Sequence, residues 1–213
     1  MRNPWLDIPL AEYEGHMALP EVGQAEMLAD ELEFAIRQHS PKSIAVLGCA
    51  GGNGFDRLLG KGIERIVGID INPAYVEAVR SRFQSRIPGL ELHVADIQCT
   101  LPELAPVDLL FAALILEYVD VPMTMSSLQT LCTPRGDLVI ILQAASSSLE
   151  AVSPSPYQSI RLLAPAMRLL DQADVQSQAI AAGFSLASSR VVSLQSGKRF
   201  IVLSFRTSAL SLG

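Results

Sequence analysis

Four glycines, Gly48, Gly51, Gly52 and Gly54, directly follow the short apolar run Ile44–Leu47. The run is β-branched in part and sits after Pro41, which is how a buried strand of a parallel sheet reads. Glycines at its end let the backbone turn sharply and let a ligand approach without a Cβ in the way. Phe55-Asp56-Arg57-Leu58-Leu59 is expected to open a helix next, placing a helix N-terminus at the same point. A second apolar run, Ile66 to Ile69, ends in Asp70, 16 residues after Gly54. An acid at the tip of the second strand of a doubly wound sheet lies beside the glycine turn, where it can accept hydrogen bonds from both hydroxyls of a ribose. Taken singly, the glycines could be a surface turn and Asp70 a helix cap. Together they point to a site for a nucleoside-containing ligand.

The glycines do not fit the G-x-G-x-x-G spacing of a dinucleotide fold. Gly48-Cys49-Ala50-Gly51-Gly52 instead resembles the first motif of class I S-adenosylmethionine-dependent methyltransferases, usually G-x-G-x-G, with Ala50 at the middle glycine. The resemblance continues in order. Asp70, followed by Ile71, matches the family's ribose-binding acid. Val94-Ala95-Asp96-Ile97 matches the third-strand motif, whose acid faces the adenine amine. Asp108–Ala113 matches the fourth strand, Leu114–Val119 the turn after it, and Pro134–Ile140 the fifth strand and its entry. The motifs cover about 43–143. The resemblance implies S-adenosyl-L-methionine as cofactor, held by Gly48, Cys49, Ala50, Gly52, Asp70, Ile71, Asp96, Ile97 and Ala113. One position departs from the pattern. The family often has an acid two residues before the first glycine, and Val46 stands there, so the cofactor's amino group must find other acceptors, such as loop carbonyls.

In this family the residues after the fourth strand face the transferred methyl group. Here they are Ile115, Leu116, Glu117 and Tyr118. They include neither the Asn/Asp-Pro-Pro-Tyr run of enzymes that methylate amides or base amino groups nor a Pro-Cys nucleophile, and they resemble the branch acting on small molecules. Glu117, Tyr118, Tyr157 and His16 are the candidate proton acceptors, and capping or packing is the alternative for each. No cluster of His, Asp and Cys has ligand spacing, so no metal is expected. Two competitors stand beside methyl transfer to a small molecule. One is a cofactor-binding protein of the same fold with another activity, such as aminopropyl transfer, or none. The other is an NAD-dependent oxidoreductase, against which the missing G-x-G-x-x-G weighs.

These residues must be positioned by one domain. The chain has 213 residues, 49% apolar and 18% charged, with a net charge of −6. That composition suits a globular domain with a sizeable core, and the acidic balance argues against a broad nucleic-acid surface. The longest apolar run, Leu109 to Leu116, is too short to span a membrane, and the N-terminus shows no signal-peptide pattern. Cys49, Cys99 and Cys132 match neither a zinc site nor a disulfide framework, so a cytoplasmic protein is expected. The oligomeric state stays open.

The expected architecture is α/β: a Rossmann-like, seven-stranded, mostly parallel sheet of the methyltransferase fold, with helices on both faces and a C-terminal antiparallel hairpin. Residues 1–213 form one domain. Within it, 1–40 is an N-terminal arm and helix, 43–143 the cofactor-binding half, and 144–213 a lid loop, helix and terminal hairpin. The arm offers Tyr13, His16 and Met17 as cover for the cofactor. Helical periodicity predicts helices over 22–39, 73–86 and 123–131, a short one over 101–104, and one over 161–182 interrupted near Pro165. Arg80, Arg82 and Arg86 read as a solvated face. Ala144–Ser159 is rich in Ser, Ala and Pro, and leaves the carboxyl end of the fifth strand, the side that carries ligands in α/β sheets. It is expected to be the lid over the acceptor.

Overall fold

The computed structural model describes residues 3–99 and 103–207. Seven strands form one sheet: β1 (Ser43–Leu47), β2 (Arg65–Asp70), β3 (Leu90–Val94), β4 (Val107–Ala113), β5 (Cys132–Gln143), β6 (Phe184–Ser193) and β7 (Arg199–Thr207). Their order is β3-β2-β1-β4-β5-β7-β6. The pairs from β3 to β5 are parallel, and β7 runs antiparallel to both β5 and β6. The direction of winding reverses between β1 and β4. In open α/β sheets ligands bind at this switch point, outside the carboxyl ends of the strands.

Alternation along each strand sorts the apolar side chains into two layers. Leu47, Val67, Ile69, Leu110, Ala112 and Ile140 pack on one face against α4 (Val121–Leu131) and α5 (Gln172–Ala181). Ile44, Val46, Ile66, Leu109, Phe111 and Ile141 pack on the other against α2 (Gln24–His39) and α3 (Pro73–Phe83). Both faces are covered, which is why these strands are apolar at nearly every position. The C-terminal hairpin is stapled to α2 by charge. Arg190 pairs with Glu31, and buried Asp137 on β5 takes both His39 of α2 and Arg206 of β7.

Two expected helices are not formed. The segment after the glycine loop is a 3-10 turn, Phe55–Leu58, and not an α-helix. Gly54 before it and Gly60 and Gly62 after it adopt positive φ, which leaves too little regular backbone to propagate a helix. The long helix over 161–182 is a 3-10 segment, Gln158–Leu163, followed by irregular chain to Asp171. Pro165 has no backbone N–H to continue a helical ladder. Only α5 is helical, started afresh by Asp171, whose carboxylate accepts the N–H groups of Ala173 and Asp174. The helix expected over 101–104 lies partly outside the described residues; Glu103 and Leu104 are not helical. The helix from Pro73 ends at Phe83, three residues short of Arg86.

Candidate active site

At the switch point the first turn is built by backbone conformation. Gly48 has φ +65°, and a Cβ there would lie 2.7 Å from Ile115 Cδ1, so the loop can pass under the β4 tip only with glycine. Ala50, at the place the family gives to a glycine, also adopts positive φ, +45°. Asp70 holds it there. One carboxylate oxygen accepts the Ala50 N–H at 2.8 Å and the other accepts the Asn72 N–H at 2.9 Å. Asp70 is 7% exposed. Burial pushes its carboxyl up to about 6, although the backbone N–H groups of Asn72, Ala50 and Ile71 pull it down. Each oxygen keeps lone-pair capacity for further donors.

Around this loop lies a cleft of about 630 Å³, counted to its open mouth. Gly48, Ala50, Asp70, Ile71, Asp96, Ile97 and Ala113 all line it, so four strand ends deliver seven of the nine expected cofactor residues to one place. The other two do not line it. Cys49 turns its thiol into the core, where burial raises it well above the usual thiol range. Gly52 lies against the Phe83 ring. Val46 is buried in the layer under α2 and α3, so the missing acid leaves no charge there.

The N-terminal arm roofs the cleft. Trp5 meets Tyr13 and Tyr118 edge-on, with ring centroids 5.5 and 5.1 Å away, and Tyr13 stacks near Tyr75. Tyr75 donates its hydroxyl to the Ile8 carbonyl, and Asn72 Nδ2 donates to the Trp5 carbonyl, so the roof is bonded to the wall. Arg82 is not merely solvated, as its place on α3 suggested. It pairs with Glu14 of α1 (Leu10–Met17) and donates to the Gly51 carbonyl at 2.8 Å, clamping the arm to the glycine loop. Nothing in the helical spacing of Arg82 distinguishes it from Arg80 or Arg86. Its partner lies 68 residues away.

A second cavity, of about 460 Å³, shares Trp5, Tyr13, Leu114 and Tyr118 with the first. His16, Met17, Gln24, Gln143, Met167 and Lys198 complete most of its wall, and Ala151, Val152 and Ser153 of the 144–159 loop close one side. That loop is anchored on the arm. The Tyr157 ring fills the space where Gly15 lacks a side chain, and Ser159 donates its N–H and hydroxyl to Glu12. Leu114, between the two cavities, has φ +53°, a conformation rarely held by a branched side chain. Its N–H donates to the Ile141 carbonyl, and such local strain concentrates at functional sites.

The four proton-acceptor candidates separate. His16 and Tyr118 line the second cavity, whereas Tyr157 and Glu117 line neither. His16 is 6% exposed and its Nδ1 has no partner among the described residues. Burial, then the charge of Lys198, lowers its imidazole, with Glu21 opposing. Both effects favour its neutral form. Burial, reinforced by Glu117, raises the Tyr118 hydroxyl far above neutrality, which makes it a donor and a poor base. Glu117 is fully buried on the 3-10 turn Leu116–Tyr118, and one carboxylate oxygen accepts the Gln143 N–H at 2.8 Å. It ties the tip of β4 to the tip of β5. Sequence spacing gave no sign of Lys198, which read as a hairpin turn.

No curated protein matches the chain by sequence. A family model described as a methyltransferase domain matches residues 44–136, which spans β1 to the start of β5. Solved structures agree over more of the chain. The N-methyltransferase NodS from Bradyrhizobium japonicum WM9, in complex with S-adenosyl-L-homocysteine, is 17% identical with a TM-score of 0.72, over 97% of this chain and 99% of that one. Magnesium protoporphyrin IX methyltransferase (ChlM) from Synechocystis PCC 6803 is 17% identical with a TM-score of 0.67, over 88% and 84%. The [4+2]-cyclase SpnF is 12% identical with a TM-score of 0.67, over 84% and 81%. Residues 44–136 thus resemble a methyltransferase domain, and the chain as a whole carries the class I S-adenosylmethionine-dependent methyltransferase fold.

Proposed function

We propose that this chain is an S-adenosylmethionine-dependent methyltransferase acting on a small molecule, with the first cleft for cofactor and the second cavity for acceptor. The observation that carries the reading is the adjacency of the two spaces: a nucleoside-type cleft and a mostly apolar cavity share Trp5, Tyr13, Leu114 and Tyr118 as a common wall. NodS and ChlM, methyltransferases whose structures hold S-adenosyl-L-homocysteine, support it. SpnF, named as a cyclase, marks the runner-up, the same fold with another activity.

The cradle fits the cofactor. Asp70 would take the ribose hydroxyls, Asp96 would face the adenine amine, and Gly48 would let the backbone come close. When bound, the cofactor supplies an electrophilic methyl on a sulfonium whose leaving group is a neutral thioether. The chain's main task is then alignment, which can supply about 7–11 kcal/mol of a barrier. Leu114 and Tyr118 hold the boundary between donor and acceptor. The Trp5 and Tyr13 rings exclude water from it. His16 is placed to take a proton from an acceptor that must lose one. No helix among the described residues is long and apolar enough to cross a membrane. The three cysteines are unpaired and two are buried, which supports a cytoplasmic setting.

Titration calorimetry tests the reading. S-adenosylhomocysteine should bind in the low micromolar range or weaker, and NAD more weakly still; tighter binding of NAD would overturn it. Limited proteolysis tests the lid. Cleavage should begin within exposed residues 145–148 and be slowed by S-adenosylhomocysteine. First cuts in the Gly48–Gly54 loop, with 144–159 intact, would remove the lid assignment.

A further inference from the structure

The second cavity holds a cation for which the described residues offer no counter-ion within ion-pairing distance. Lys198, the last residue of the β6–β7 turn, is 6% exposed. Its Nζ donates to the carbonyl of Ala151 at 2.8 Å and to Oε1 of Gln143 at 3.4 Å, both neutral oxygens. Gln143 is itself committed, since its Nε2 donates to the same Ala151 carbonyl. Among the described residues no carboxylate lies within ion-pairing distance of Nζ. The acid that acts on it is Glu150, exposed on the lid. Glu117, the buried acid of this region, is turned to the Gln143 backbone. A buried, unpaired ammonium is costly unless something compensates it. Consistently, burial lowers Lys198 to about 8. His16, on the same wall, is a second buried group with an unpartnered ring nitrogen. Most of the remaining lining is apolar or aromatic, including Trp5, Tyr13, Met17, Leu114, Val152 and Met167, with Gln24 and Ser153 as polar exceptions that carry no charge.

We infer that the methyl acceptor is an amphipathic small acid, whose carboxylate pairs with Lys198 while its apolar or aromatic body lies against Trp5, Tyr13 and Met167. A lysine suits this task because an ammonium is a compact point charge with three donors, and the two neutral oxygens leave capacity for a third partner. The carbonyl of Ala151 links the same ammonium to the lid, so acid binding and lid position are read by one group. The inference rests on the assignment of this cavity to the acceptor.

The test uses the full chain saturated with S-adenosylhomocysteine, and three acid–amide pairs as probes: benzoate with benzamide, phenylacetate with phenylacetamide, and 3-phenylpropionate with its amide. Calorimetry should show at least one acid binding tenfold or more tighter than its amide. Lys198→Met should abolish that preference, and Lys198→Arg should retain part of it. S-adenosylhomocysteine affinity, measured separately, should stay within twofold in both variants, which also shows that they are folded. Equal binding of acids and amides, no binding of any acid, or a preference that survives Lys198→Met would each overturn the inference. Failure of S-adenosylhomocysteine to bind the unaltered chain would instead overturn the cofactor assignment.

Discussion

Asp70→Ala should weaken S-adenosylhomocysteine binding by about 30- to 1,000-fold. The carboxylate is the expected acceptor for two ribose hydroxyls, and hydrogen bonds to a buried charge contribute enough that losing both costs roughly 2–4 kcal/mol. It also braces the loop that receives the cofactor, through the N–H groups of Ala50 and Asn72. Both losses act in the same direction on affinity. The pH profile gives an independent check. Asp70 is raised from 3.8 to about 6 in the free protein, so near neutral pH it is an ionised acceptor, and below about 6 it becomes protonated. Affinity should therefore be flat above pH 7 and fall as pH drops through 6. The free fold responds oppositely: a raised carboxyl favours the folded state at low pH, and that contribution disappears as pH rises from about 4 to 6. Calorimetry across pH 5 to 8, on both proteins, decides. Binding by Asp70→Ala within threefold of the unaltered chain would remove Asp70 from the site.

Glu117→Gln should stabilise the protein above pH 7, by about 3 kcal/mol, and leave it unchanged near pH 4.5. Burial raises this carboxyl from 4.5 to about 7, with the backbone N–H of Gln143 pulling the other way. A raised folded-state value means that the folded protein holds the proton more tightly. Its stabilising effect is complete below the unfolded value of 4.5 and is lost as pH climbs through 7. A shift of this size corresponds to about 3 kcal/mol. Glutamine keeps an oxygen for the Gln143 N–H and has no proton to lose. Because the other oxygen of Glu117 already lacks a partner among the described residues, the amide leaves no more unsatisfied than the protonated acid does. For a chain of this length the expected gain in Tm at pH 8.5 is about 5–10 °C. Equal destabilisation at every pH would show that the carboxylate has a partner role that the amide cannot fill. The same substitution bears on chemistry, since Glu117 lines neither cavity.

The mostly parallel seven-stranded sheet with its terminal hairpin, and the residues that gather at the first cleft, were legible because each signal is local. Ile44–Leu47 is an apolar run closed by glycine, Asp70 ends its strand, and Asp96 comes two residues after Val94. Such features need only short-range backbone geometry and the switch point of a doubly wound sheet. The second cavity was not legible, because it is assembled from distant pieces: the arm, the 144–159 loop, the β4 tip and the terminal hairpin. Lys198 sits in a turn whose composition explains it completely, and only the fold buries it beneath Ala151. Arg82 belongs to the same run of outward-facing arginines as Arg80, and only the approach of Glu14 gives it a separate role. The two helices that failed to form show the opposite limit. Apolar spacing suggested them, and the positive-φ glycines around Phe55–Leu58 and the proline at 165 overrode it.

The 3-10 turn after the glycine loop has a consequence for which nucleosides this cleft can tell apart. A full helix starting there would point its unpaired N–H groups and positive dipole end at an anionic group. A turn of four residues offers little of either. Val46 removes the acid that would answer an ammonium. Both devices that would discriminate a zwitterionic amino-acid tail are thus reduced, while Asp70 and Asp96, proposed for ribose and adenine, remain in the cleft. Selectivity should rest on the nucleoside half of the ligand. 5′-Methylthioadenosine, which lacks the tail, should compete with S-adenosylhomocysteine to within about tenfold in a displacement titration; a preference for the full ligand above a hundredfold would show that the tail is gripped after all.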